Sequence, residues 1–209
     1  MAQIFPTISE PGHDPNELTV GELEVLDALT TLDDSWTVYV QPLLGWDQPD
    51  FVVAHPDYGV CAIEVEDWAV GSRRRAGDGR IEARSAIGWE PISGAPCTAA
   101  ARYRTAILGL FHAEPGLTEE LHDRMIVRGI VVLASYTTAD ACALLRRPHM
   151  VDFENWIKVW GGQALRDDPV CVVAGHPRPA RREVSPIFLD RLHEHCTQIS
   201  STARLLVPN

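Results

Sequence analysis

The chain has 209 residues, 45% of them hydrophobic, and a formal net charge of -11. Its length and apolar content suffice for a buried core and predict one principal domain with elaborations. The charge excludes a protein that coats nucleic acid non-specifically, which needs clustered Lys and Arg; it does not exclude a nuclease, whose carboxylates hold a cation that brings the phosphate in.

Met1-Ala2-Gln3-Ile4-Phe5-Pro6 has no basic segment leading into an apolar run. No later stretch approaches the roughly 18 apolar residues of a membrane span, so a soluble, intracellular, cytoplasmic protein is expected. The segment from Asn16 to Leu32 predicts a first helix, since Leu23, Leu26 and Leu29 recur at helical spacing beside Val25. Thr19 followed by Glu22 forms a capping-box pattern at its start. After the Asp33-Asp34-Ser35 turn, Trp36 to Val40 alternates and suits a strand, and Gly45 to Pro49 follows as a loop.

Phe51-Val52-Val53-Ala54, the turn His55-Pro56-Asp57-Tyr58-Gly59, and Val60 to Glu66 read as a β-hairpin. Val70 to Pro91 is polar, with Gly77-Asp78-Gly79 as a turn between short strands. Pro96 opens a helix through Phe111, with Ala100, Tyr103, Ile107 and Leu110 on one side. Farther on, Ile130 to Ala134 and Val170 to Ala174 predict buried strands. Helices are predicted near Thr118 to Met125, Thr138 to Leu145, Phe153 to Trp160 and Pro186 to Ala203, and Arg178 to Arg182 reads as a surface loop. This alternation predicts an α/β fold, a central mixed β-sheet flanked by helices. Residues 1–115 form its core and 116–209 continue the same domain.

Cys61, Cys97, Cys142, Cys171 and Cys196 are scattered and never spaced as a CxxC pair, so they read as reduced, mostly buried hydrophobes. Only His193 and His195 lie close together, and on a helix they point to different faces, which gives no zinc spacing.

The hairpin carries the chemistry. A symmetric five-residue turn centred on Asp57 pairs Ala54 with Val60, Val52 with Ala62, and Asp50 with Glu64; Glu66 joins the same face by strand periodicity. Paired side chains have Cβ atoms about 5 Å apart, and like charges there are destabilising. Mg²⁺ or Mn²⁺, a hard cation that takes carboxylate oxygen, is the expected compensation. The alternative is a solvated hairpin end with acids as surface decoration. Glu22 faces inward with Val25, Leu26 and Leu29 and is a fourth candidate, although a capping box accounts for it without a metal.

Thr19-Val20-Gly21-Glu22, Pro49-Asp50-Phe51-Val52-Val53, Tyr58-Gly59-Val60 and Glu64-Val65-Glu66-Asp67-Trp68, continuing through Trp89 and the Pro96 helix, resemble the nuclease-related domain (NERD) family of the PD-(D/E)xK nuclease superfamily. The likeness covers roughly the first 110 residues. It implies a PD-(D/E)xK nuclease-like fold and places the family's aspartate and first glutamate at Asp50 and Glu64, and its helix glutamate at Glu22.

The chain departs from the family at two positions. Glu66 stands where the family has lysine in a Glu-Val-Lys-x-Trp run, and Ala99 where the following helix carries a glutamine. A glutamate can orient or deprotonate the attacking water but cannot offset charge building on the phosphate. A third carboxylate could instead bind a second metal.

The only lysine, Lys158, falls in the Phe153 to Trp160 segment as an ordinary exposed residue; Arg73, Arg74 and Arg75 are the better phosphate contacts, though an arginine run also suits a solvated loop. Trp68 and Trp89 read as packing aromatics, Gly59 as a turn residue and Gly21 as a point of close helix–strand approach.

The expectation is a metal-dependent phosphodiesterase acting on DNA, with Asp50, Glu64 and Glu66 around Mg²⁺ or Mn²⁺ and Glu22 assisting. The resemblance implies a helicase or other partner, since the chain has no GxxxxGK[ST] loop of its own. The rivals are a catalytically degenerate nucleic-acid- or protein-binding module and an acidic structural module.

Overall fold

A computed structural model describes residues 1–5, 18–112, 127–145, 156–174 and 184–203. The elements are β1 (Gln3–Phe5), α1 (Val20–Thr30), β2 (Thr37–Val40), β3 (Phe51–His55), β4 (Gly59–Glu66), β5 (Arg73–Arg75), β6 (Ile81–Ser85), β7 (Gly88–Pro91), α2 (Pro96–His112), β8 (Val127–Leu133), α3 (Thr138–Leu145), β9 (Ile157–Gly161), α4 (Gly162–Asp167), α5 (Pro169–Ala174) and α6 (Pro186–Ala203). Thr19 caps α1 with the predicted box: Glu22 N–H donates to Thr19 Oγ1 at 3.3 Å, and Thr19 N–H to Glu22 Oε2 at 2.6 Å. No helix among the described residues is long and apolar enough to cross a membrane.

Six strands form one mixed sheet in the order β1-β2-β3-β4-β8-β9. The β2–β3 and β3–β4 pairs are antiparallel; β1–β2, β4–β8 and β8–β9 are parallel. Strand alternation divides the core between the two faces. Phe51, Val53, Cys61, Ile63, Ile130 and Val132 pack with α1, α4 and α5. On the other face Val52, Ala54, Val60 and Ala62 pack with Tyr103 and Ile107 of α2 and Phe188 and Leu192 of α6, and Val131 and Leu133 pack with α2 and α3. Strands β5, β6 and β7 make a small antiparallel sheet of their own, on either side of the predicted Gly77-Asp78-Gly79 turn.

The hairpin register is as its sequence predicts: Ala54 pairs with Val60 and Val52 with Ala62. The ladder ends, however, at Phe51–Ile63, one step short of Asp50 and Glu64. On its other side β4 runs on against β8, pairing Glu64 with Val131 and Glu66 with Leu133. The acidic end of β4 is therefore held by one neighbouring strand only.

Two expectations are overturned. The stretch at Val170 to Ala174 is the short helix α5, not a strand: Asp168 accepts the Cys171 N–H on Oδ1 at 2.9 Å, and Pro169 takes the first helical position. Of the segment predicted as a helix from Phe153 to Trp160, residues 153–155 lie outside the described residues and Trp156 is helical, but 157–160 belong to β9, in which Ile157, Val159 and Gly161 are buried and Lys158 and Trp160 half-buried, the period of a strand. The expectations at Thr118 to Met125 and Arg178 to Arg182 lie outside the described residues.

Candidate functional site

Asp50 lies just ahead of β3, and its Oδ2 accepts the backbone N–H of Val65 at 2.6 Å. Its carboxyl also hydrogen-bonds to the Glu22 side chain, and the charge of Glu64 acts on it. Burial, seconded by the Glu22 contact, pushes Asp50 up to about 9. The contact between the two carboxyl groups therefore holds a proton at neutral pH. Glu22 itself is buried on the first turn of α1, so the helix delivers it to the hairpin end as its inward face requires.

Glu64 is also raised, chiefly by burial; the Tyr103 hydroxyl donates to it and the Arg102 charge acts against the rise. Glu66 is pushed up to about 7 by burial and by the charge of Glu64, with Arg73 and the Trp68 indole N–H pulling the other way. A carboxyl near 7 is matched to proton transfer at neutral pH. The structure thus brings Asp50, Glu22, Glu64 and Glu66 into one electrostatically coupled group.

Several residues of this site were not recognised from sequence. Tyr103 was read as part of the apolar face of its helix; it lies one turn beyond Ala99, which packs against the core, and reaches Glu64. Trp68 does pack against the core, but it also binds Glu66. Asp67 accepts the Gly21 N–H on Oδ2 at 2.9 Å, placing an anion at the start of α1. A Cβ at Gly21 would come within 1.9 Å of Asp67 Oδ1 and 2.7 Å of the Ala134 Cβ, so the predicted close approach is real and its partners are Asp67 and Ala134. A Trp two residues after Glu66 and a Tyr one turn after Ala99 were the available signals.

The arginine triplet does not act as a unit. Arg74 Nε pairs with Glu82 at 2.8 Å and its guanidinium lies over Trp89 at 4.6 Å. Arg73 and Arg75 take the other side of β5. Arg73 lies over Trp68 at 5.1 Å, with Nη1 donating to the Ser72 carbonyl at 3.1 Å, and the Nε atoms of Arg73 and Arg75 are buried without a hydrogen-bond partner. Lys158 pairs with Ile130, which pairs with Ile63. It therefore faces the α1 side of the sheet, two strands from β4 and opposite Glu64, and cannot supply charge there.

A second constellation, Asp33, Ser35 and His55, has the residue types of a hydrolytic triad but not its proton order. His55 Nδ1 accepts the Asp57 N–H at 2.9 Å, and burial lowers its pKa, so its proton sits on Nε2 and is donated to Ser35 Oγ at 2.8 Å. The Ser35 hydroxyl donates to Asp33. A general base must accept from the nucleophile, and here the histidine donates.

Neither family models nor curated proteins nor solved structures gave a match to this chain.

Among the described residues no three His, Cys, Asp or Glu side chains stand as a preformed metal-ligand cluster. The donors around Asp50 are all carboxyl oxygens, the kind that a hard divalent cation takes. A buried and a half-buried carboxyl joined by a hydrogen bond, with a third within reach of their field, hold a proton where a cation would relieve the same repulsion. Fit rests on oxygen donors and charge rather than on a finished cage.

Proposed function

We propose that the chain is a metal-dependent nuclease domain of the PD-(D/E)xK kind that hydrolyses phosphodiester bonds in DNA. The observation that carries this reading is the gathering at the end of β4 of three interacting carboxyl groups, buried Glu22 with half-buried Asp50 and Glu64. Acids of like charge held this close, with burial and one another raising them despite the arginines nearby, are a costly arrangement that function explains better than stability does.

Asp50 and Glu64 would hold Mg²⁺ or Mn²⁺, with Glu66 and Glu22 beside them. The bound ion would supply Lewis-acid polarisation of the phosphoryl oxygen and charge neutralisation. Glu66, raised to about 7 and oriented by Trp68, takes the proton of the attacking water on a carboxylate oxygen. Tyr103 fixes the orientation of Glu64, and the Val65 N–H that of Asp50. Arg73, whose charge reaches Glu66, and Arg102, whose charge reaches Glu64, are the cationic groups at the site.

A second reading, a catalytically degenerate module that binds nucleic acid or protein, is favoured by the lack of a preformed ligand cluster among the described residues and by the cap that Asp50 provides to Val65. Cleavage of single- and double-stranded DNA with Mg²⁺ or Mn²⁺ separates the two. Turnover in the parent that is lost in Asp50→Asn and Glu66→Ala supports the nuclease; absent turnover, with metal binding measured by calorimetry, supports the degenerate module.

A further inference from the structure

Between β2 and β3 the chain makes a two-residue turn, Gly45-Trp46, closed by reciprocal hydrogen bonds: Leu44 N–H to the Asp47 carbonyl at 2.7 Å and Asp47 N–H to the Leu44 carbonyl at 3.2 Å. Gly45 takes φ +68, which glycine adopts without steric cost. Leu44 is anchored in the core, and Asp47 Oδ1 pairs with Arg102 Nε at 3.0 Å. The turn is thus braced at both ends.

At its tip the Trp46 side chain is fully exposed, whereas the other five tryptophans are buried or half-buried. A braced turn that holds an indole in water gains nothing for folding, because the largest apolar side chain stabilises only when covered.

The turn also sits beside the acids. The charges of both Asp47 and Arg102 act on Glu64. Trp46 and Asp50 are four residues apart, so their Cα atoms are separated by at most about 14 Å. At about 3.4 Å or more per nucleotide, that is at most about four nucleotides along a strand.

We propose that Trp46 is a stacking platform for an unpaired base of the strand whose backbone lies at the Asp50–Glu64 site, so that the substrate is single-stranded or locally unpaired nucleic acid. The inference rests on the nuclease reading above and names its substrate class. An indole face takes any base, but inside a duplex both faces of a base are already covered. Arg102, half-exposed at the foot of the turn, is placed to follow the phosphates.

The test is binding of a labelled single-stranded oligonucleotide, and of a blunt duplex of the same sequence, in EDTA, by the parent, Trp46→Ala and Trp46→Phe. Trp46→Ala is expected to weaken single-strand binding between about fivefold and a hundredfold, Trp46→Phe to retain most of it, and duplex binding to be unchanged. Equal weakening on both substrates, unchanged single-strand binding in Trp46→Ala, or a parent that binds no single strand overturns the inference. Cleavage with Mg²⁺ is scored on the same proteins. Asp50-dependent cleavage with Trp46-independent binding sinks the platform and leaves the nuclease; Trp46-dependent binding without cleavage sinks the nuclease and leaves the platform.

Discussion

The carboxyl group of Asp50 receives the N–H of Val65 at 2.6 Å, at the level where β3 has ended and β4 continues beside β8 alone. One side chain thus stands in for a missing strand residue while the same carboxyl group hydrogen-bonds to Glu22 and feels the charge of Glu64. Asp50 is consequently both a strand cap and the most perturbed acid of the site.

That double role fixes a pH dependence. Asp50 titrates at about 9 in the folded protein against 3.8 for the free group, so the folded state holds a proton that the unfolded chain releases. Its contribution to metal-free stability is complete below about pH 4 and is lost as pH rises through about 9. Asp50→Asn keeps an oxygen for the Val65 N–H and removes the ionisation. Thermal melts in EDTA should show a higher midpoint for this variant at pH 8 and a flatter decline between pH 5 and pH 9; an unchanged slope would show that Asp50 is not the titrating group.

Tyr103→Phe removes the hydroxyl that donates to Glu64 and keeps the ring in the core. Stability should fall by about 1 kcal/mol in urea unfolding. Mg²⁺ affinity measured by calorimetry should fall about 10- to 100-fold, the usual effect of removing a group that orients a ligand.

Trp68→Phe takes the indole N–H from Glu66 and leaves an aromatic face under Arg73. Glu66 should then titrate above 7 in the metal-free protein, followed by carbon NMR of its labelled carboxyl. A titration at or below its present position would show that the indole does not hold Glu66.

Gly21→Ala drives a methyl into Asp67 and Ala134. The expected loss is about 1–3 kcal/mol, read from denaturant midpoints. Adding Asp67→Ala should recover part of it, since the nearest obstacle is then gone while the Ala134 contact remains. Strictly additive losses would place the strain elsewhere.

Ser35→Ala should leave any hydrolytic turnover unchanged, because His55 donates to Ser35 rather than accepting from it. Failure of a fluorophosphonate probe to label the parent protein is the corresponding chemical check; labelling at Ser35 would overturn this proton order.

The hairpin and the helix that follows it were legible because their signals are local. The five-residue turn set the register, the Thr19–Glu22 box set the start of α1, and Pro96 the start of α2. The same register put Asp50 and Glu64 at the end of the hairpin, although the ladder stops one step before them. Tyr103, Trp68 and Asp67 were not assigned their partners, because those contacts join residues from separate elements and depend on how α1 and α2 settle on the sheet. The misread segments fail for a different reason. Val170 to Ala174 is a short apolar run, which periodicity cannot assign to strand or helix, and its deciding signal was the Asp168-Pro169 pair. Around Lys158 the aromatic residues on either side imitate a helical stripe, whereas burial alternates residue by residue.

The parallel pairing of β4 with β8 means that the acid-bearing strand borrows its second neighbour from the far half of the chain. The first 115 residues expressed alone would therefore present Val60 to Glu66 as a bare apolar edge, a template for adding strands from other molecules. Such a fragment would contain every acid of the candidate site and still be expected to aggregate before it could bind anything.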